Sequence, residues 1–166
     1  MVSRIVVSNA TPLIALAWLE QLDLLPTLFG TVHIPQAVSH EIQHNPDAIG
    51  ASELAAVSWL KVMPVQDTLA VNLLLDQLDV GESEAIVLAH ELQAGRLLMD
   101  ERRGRRRAIQ AGLNVVGTLG ILIQARRQNR TGPLRPILNR LRQLPFHMSE
   151  QLYQDVLRQV GEEPIT

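Results

Sequence analysis

The chain of 166 residues contains no cysteine. That absence excludes a disulfide framework, thiolate zinc sites and a cysteine nucleophile. Aromatic residues make up 3% of the chain, so its core has to be aliphatic. A module that binds single strands chiefly by stacking bases on aromatic rings is therefore not expected. Lysine is almost missing: Lys61 is the only one, and arginine carries nearly all the positive charge. No charge-free apolar run approaches the roughly 18 residues of a membrane span. The opening Met1-Val2-Ser3-Arg4 and the short run behind it are too brief for a signal peptide, so a cytoplasmic protein is expected.

What is present is unevenly distributed. The apolar share is 46%, ordinary for a globular protein, and the length suits one domain. The net charge of −2 hides two opposed halves. Residues 1–95 set eleven acids against Arg4 and Lys61, a net of −9; residues 96–166 set thirteen arginines against six acids, a net of +7. An acidic half beside an arginine-rich half suits a metal site next to a polyanion track. Two solvated faces attracting one another across the fold or a dimer would produce the same pattern.

Hydrophobic periodicity alternates between short β-branched runs and helical spacing. Ile5–Ser8 reads as a buried strand, and Thr11 as a helix cap with Pro12 at the first helical position. Leu22–Phe29 predicts a helix closed by Gly30, Thr31–Ile34 a strand, and Pro35 a helix reaching His44 before Asn45-Pro46. A helix near 51–56, a short strand at Leu60–Met63, and helices over Leu69–Leu78 and Gly81–Gln93 follow. Then come a strand at Arg96–Met99, a basic helix from Arg102 to Ala111, a strand at Asn114–Val116 and a helix at Leu119–Arg127. Two amphipathic helices, about 134–143 and 149–160, end the chain. Strands alternating with helices predict right-handed βαβ units and a parallel sheet with helices on both faces. The expected division is a sheet domain over 1–130 and, after Gln128–Pro133, a C-terminal helical extension over 131–166 packed on it.

Ligands of parallel sheets bind beyond the carboxyl ends of the strands. The polar residues predicted there are Asn9 after the first strand and Asp100 with Glu101 after the fourth. Glu82 and Glu84 fall in the first turn of a helix, where the dipole favours carboxylates, and Glu41 falls in the helix after the second strand. Oxygen donors from several elements, with no cysteine and no obligatory histidine, are what Mg²⁺ or Mn²⁺ prefers. Each acid taken alone has a blander role as a cap or a surface charge, Glu82 most clearly.

Four segments in this order resemble the PIN-domain family. "IVVSNATPLIALA" is similar to its opening strand, acid and helix. "VHIPQAVSHEI" resembles the second strand and helix, with Glu41 as the acid. "LDVGESEAIVLAHEL" resembles the next motif, with Glu84 as its acid and Glu82 as companion. "AGRLLMDERRGRRRAIQAGLNVVGTLGILIQA" resembles the closing strand-helix-strand-helix segment, with Asp100 or Glu101 as its acid, one facing in and the other out. The likeness covers about residues 4–127 and is nearest an uncharacterised prokaryotic branch. It implies a three-layer α/β/α Rossmann-like PIN fold with a short parallel sheet and a C-terminal helical tail. It further implies a Mg²⁺- or Mn²⁺-dependent ribonuclease, a homodimer, and a partner protein of antitoxin type, since many relatives are toxins. The implied catalytic set is Asn9, Glu41, Glu84 and Asp100, with Glu101 as a further metal ligand and Glu82, Thr11 and Thr118 as a secondary set. Asn9 departs from the family, which usually has an acid there. An amide oxygen can ligate Mg²⁺ but brings no charge, so a non-catalytic RNA- or partner-binding role is the alternative.

Two other stretches compete for attention. His40-Glu41-Ile42-Gln43-His44 matches H-E-x-x-H, in which two histidines one turn apart hold zinc and the glutamate is the base. The match stops short: Asn45-Pro46 ends the helix, Asp47 and Gly50 break the extended pattern, and Glu53 would be the nearest third ligand. Zinc peptidase is therefore the remote alternative. Arg102-Arg103-Gly104-Arg105-Arg106-Arg107 is the other. On a helix Arg102, Arg105 and Arg106 share a face, so with Arg103 they are expected to bind RNA phosphates. The competing reading pairs them with Asp100 and Glu101.

Overall fold

A computed structural model describes residues 3–45 and 51–162. Strand β1 (Val6–Ser8) leads into helix α1 (Ala10–Trp18) and α2 (Leu24–Phe29), then β2 (Val32–Pro35), α3 (Gln36–His44), α4 (Ala51–Ala56) and β3 (Leu60–Met63). Helices α5 (Thr68–Leu74) and α6 (Val80–Glu91) return the chain to β4 (Arg96–Leu98). After α7 (Arg102–Gln110) and β5 (Val115–Val116) come α8 (Thr118–Arg127), α9 (Leu134–Leu141) and α10 (Glu150–Gln159).

All five strands are parallel, in the order β3-β2-β1-β4-β5. The chain winds outward from β1 through β2 to β3, then crosses back to lay β4 on the other side of β1. That reversal makes a switch point between β1 and β4, where diverging connections leave a crevice beyond the carboxyl ends. Register sets Ser8 opposite Leu98, and the Asn9 amide donates to the Leu98 carbonyl at 2.8 Å. Asn9 and the Asp100 turn thus flank the crevice.

Period-two alternation assigns the strand side chains to two cores. Val6 and Leu98 join the larger one with Leu13 and Leu16 of α1, Val38 and Ile42 of α3, and Ile121 and Leu122 of α8. Leu134, Leu138 and Leu141 of α9 and Tyr153, Val156 and Leu157 of α10 belong to this same cluster. Val7, Leu97 and Met99 face the smaller core, built from Ala85, Ile86, Leu88 and Ala89 of α6 and Ala108 of α7. The result is three layers, α/β/α. Gly104 interrupts the arginine run where α7 meets the sheet: a Cβ there would lie 2.6 Å from the sulfur of buried Met99, which would have to shift to admit any larger residue.

Some boundaries differ from the sequence reading. Asn9, not Thr11, is the N-cap of α1, which places Pro12 inside the first turn, where no backbone donor is missed. The apolar stretch after Leu69 is helical only to Leu74; Leu69 and Leu73 point outward, 67% and 70% exposed. The proline stop at Pro46, together with Asp47 and Gly50, lies outside the described residues.

Candidate active site

The site begins with an unsatisfied acceptor. Asn9 is 4% exposed, and its Oδ1 has no hydrogen-bond partner among the described residues. The side chain does not cap α1 although it holds the capping position. Leaving a buried acceptor unpaired costs on the order of 1–3 kcal/mol, which marks such an atom for a role outside the resting fold.

Facing it is the start of α6. Asp79 caps the helix, accepting from the Glu82 amide at 2.8 Å, and Glu82 accepts from the Asp79 amide at 3.1 Å. This reciprocal capping box fixes both carboxylates and follows from the D-x-x-E spacing of "DVGE". Between them, Gly81 keeps a small space open. A Cβ there would lie 3.0 Å from Glu41 Oε2, 3.5 Å from Asp79 Oδ1 and 3.6 Å from Asn9 Oδ1. Three oxygens from α3, from the turn before α6 and from the end of β1 therefore surround one point.

The electrostatics are those of crowded like charges. Burial raises the Glu41 carboxyl above its usual range, and the Asp79 charge adds to the rise. Burial also raises Glu82; the backbone hydrogen bond at Asp79 opposes it, and the charges of Asp79, Glu101 and Glu41 reinforce it. Glu82 is thus both a helix cap, as its position suggested, and a member of the acidic group. Asp79 was missed from the sequence because an aspartate before a helix is so often only a cap. The glycine two residues on, where helical propensity favours almost any other residue, was the available signal.

The remaining predicted acids divide. Glu84, one turn beyond Gly81 and so on the same face of α6, accepts from the Ala37 amide at 3.1 Å and supports the start of α3. Asp100 turns to α8, taking hydrogen bonds from the Thr118 amide at 2.8 Å and hydroxyl at 2.6 Å. Its carboxyl is raised by burial, against the lowering effects of Thr118 and Arg105. Glu101 is exposed and reaches the electrostatic neighbourhood of Glu82. With Thr11 and Glu41 it lines a groove beside the three oxygens.

Among the described residues no three His, Asp or Glu side chains stand close enough together to hold a metal ion. The oxygens around Gly81 belong to two carboxylates and an amide. That all-oxygen donor set, with one acceptor orphaned, has the chemistry of a hard divalent cation site.

Helix α7 carries its arginines beside this crevice. Arg102, Arg105 and Arg106 line a cleft of about 610 Å³ together with Asp100. Arg103, Arg106 and Arg107 line a second. Arg105 Nη1 is tied to the Met99 carbonyl at 3.0 Å, while Arg102, Arg103, Arg106 and Arg107 are exposed. Among the described residues none of the five forms an ion pair. The histidines of α3 behave otherwise. The His40 and His44 rings stack at 3.9 Å, and His44 Nδ1 lies 2.9 Å from the His40 carbonyl oxygen. Stacked rings do not converge nitrogens on one point, Glu53 is exposed, and Glu41 faces the oxygens at Gly81 instead.

A parallel α/β/α sheet with acids gathered at its switch point defines a doubly wound fold whose ligand crevice lies beyond the carboxyl ends of the strands, and comparison narrows it. A family model described as a PIN domain matches residues 5–162. The chain belongs to the PIN-domain family, whose members are generally nucleases and usually use divalent metals. The match runs through α9 and α10. No curated protein matches the chain. Among the described residues no helix is long and apolar enough to cross a membrane.

Proposed function

We propose that this protein is a divalent-metal-dependent ribonuclease that hydrolyses phosphodiester bonds beside Gly81. The observation that carries the reading is the set of three oxygens, from Asn9, Glu41 and Asp79, around a point that a glycine keeps free. Those residues would hold Mg²⁺ or Mn²⁺, which supplies Lewis acidity and a water of lowered pKa when bound. The protein's own groups do the rest. Arg102 and Arg106, which form no ion pair among the described residues, draw the RNA backbone along α7. Arg105 and Asp100, both 2.9 Å from the Cβ position of Gly117, order the crevice wall through Met99 and Thr118. Glu82 fixes Asp79 through the capping box, and Glu101 stands at the mouth.

The test is cleavage of single-stranded RNA with Mg²⁺ or Mn²⁺, its loss in EDTA, and its loss in Asp79→Asn and Glu41→Gln. Activity that persists in EDTA, or in both variants, would sink the reading. The neutral amide at Asn9 favours one second reading, a protein that binds RNA without cutting it; cleavage gained in Asn9→Asp would support that. A homodimer and an antitoxin-type partner remain part of the proposal. The exposed Leu69, Leu73 and Val80 support a protein contact, to be checked by solution mass and co-purification.

A further inference from the structure

Two of the chain's five aromatic side chains come together at the site although they lie far apart in sequence. Trp18, at the end of α1, and Phe146, between α9 and α10, line the groove beside the acids. Its volume of about 370 Å³ falls within the roughly 300–1,000 Å³ of small-ligand sites. Ile14 and Leu144 complete an apolar wall, and Glu41 and Glu101 form the rim.

We propose that this groove is the subsite for the base next to the scissile phosphate, held against Trp18 and Phe146. The inference rests on the nuclease reading and names the part of the substrate that the groove takes. Charge decides the orientation. Glu41 and Glu101 repel phosphate at the rim, whereas the apolar wall accepts a flat ring. The phosphates have their own track in the cleft of Arg102, Arg105 and Arg106, which ends at Asp100. Asp100 lines that cleft and Glu101 lines the groove, so the dipeptide is a ridge shared by both. A strand leaving the arginines crosses this ridge beside the Gly81 oxygens and delivers its next base to the aromatic wall. Scarcity of aromatics argues against a stacking platform along a whole strand, and is compatible with one stacked base at a cutting site.

The experiment uses the full chain with Trp59→Phe, which leaves Trp18 as the only tryptophan. A fluorescein-tagged single-stranded hexaribonucleotide is titrated in EDTA, with total binding read by anisotropy and the groove by Trp18 emission. Saturable quenching that tracks the anisotropy is expected. One abasic position should remove the quench and weaken binding about tenfold, as one lost stack does. Phe146→Ala should weaken binding similarly. Trp18→Phe in the otherwise unaltered chain should leave an emission that RNA does not move, which guards against misfolding of the Trp59 variant. Binding by anisotropy with unmoved Trp18 emission and no abasic penalty would overturn the subsite and leave the nuclease reading standing. No binding of RNA at all would overturn both. Quenching by an arginine-rich peptide and not by RNA would assign the groove to a cationic protein partner, and the proposal would fall.

Discussion

In the C-terminal tail, Arg158 meets Asp155 at 3.2 Å and Arg142 meets Glu150, while Glu162 meets Arg126 of α8 at 3.7 Å. At the carboxyl end of the sheet, Glu41, Asp79 and Glu82 crowd together and form no ion pair among the described residues. The tail's charges are locally compensated, and its work is packing: Leu138, Tyr153 and Val156 complete the larger core. The sheet end accepts like-charge repulsion, and its orphaned acceptor sits among carboxylates, unlike the one at Gln154 Oε1 in α10. Folds tolerate such strain where a ligand relieves it. The contrast yields an ordered set of expectations.

The largest effect belongs to Gly81→Ala. A methyl group 3.0 Å from Glu41 Oε2 fills the space that the three oxygens share. Mn²⁺ affinity measured by calorimetry should fall at least about 100-fold, and cleavage with it. Stability should hold or rise, because alanine gains about 1 kcal/mol over glycine in a helix. Retained metal binding would show that the cation, if any, sits elsewhere.

Asn9→Asp should act in the opposite sense. A third carboxylate should tighten Mn²⁺ about tenfold, since ligand charge tunes affinity. The melting temperature in EDTA should drop, because another like charge joins the group. Tighter binding with no loss of metal-free stability would separate repulsion at this site from its function.

Glu41→Gln is next in size. Burial and Asp79 raise the Glu41 carboxyl in the fold. The stability attached to a raised carboxyl is fully present below its unfolded pKa and is lost as pH rises through the folded value. Ionised Glu41 therefore costs stability at neutral pH, and glutamine removes that cost. Glu41 is exposed, so solvent screens much of that cost: melting in EDTA at pH 7 should rise only slightly, with no rise at pH 4. A fall at pH 7 would mean that Glu41 is compensated after all.

How much of this was legible in the sequence depends on separation along the chain. The strands and helices followed from periodicity, because each is decided within a few residues. Asn9 and Glu41 were readable because a strand end and a motif place them. Glu82 joins the capping box with Asp79 while Glu84 reaches Ala37 of α3, a division that depends on how α3 and α6 pack and that local spacing does not show. The Trp18–Phe146 groove was out of reach, because it exists only once the tail has packed. Glu84 supplies the corresponding test. Its Oε1 accepts from Ala37, and glutamine keeps that oxygen. Glu84→Gln should leave cleavage within about twofold, whereas Glu84→Ala should cost about 1 kcal/mol, as a lost helix cap does. Abolished cleavage in a folded Glu84→Gln would return Glu84 to the catalytic set.

The smallest effect lies in the tail. Hydrogen bonds from Gln154 and then Arg142 hold the Glu150 carboxyl below its usual value. A depressed carboxyl contributes stability above its unfolded pKa and loses it as pH falls through the folded value. Glu150→Gln should therefore lower the melting temperature slightly at pH 7 and not at all in strong acid. Because the pair is exposed, added salt should shrink even that difference. Arg142→Ala should cost more than Glu150→Gln, since the guanidinium also lies 3.9 Å from the centre of the Tyr153 ring, whose hydroxyl donates to Asn139 Oδ1 at 2.8 Å. Neither loss of charge at Glu150 nor its small thermal effect should alter metal affinity or the cleavage rate. If Glu150→Gln changed cleavage as strongly as Gly81→Ala, a compensated acid and a crowded one would be functionally alike, and the contrast between the two regions would fail.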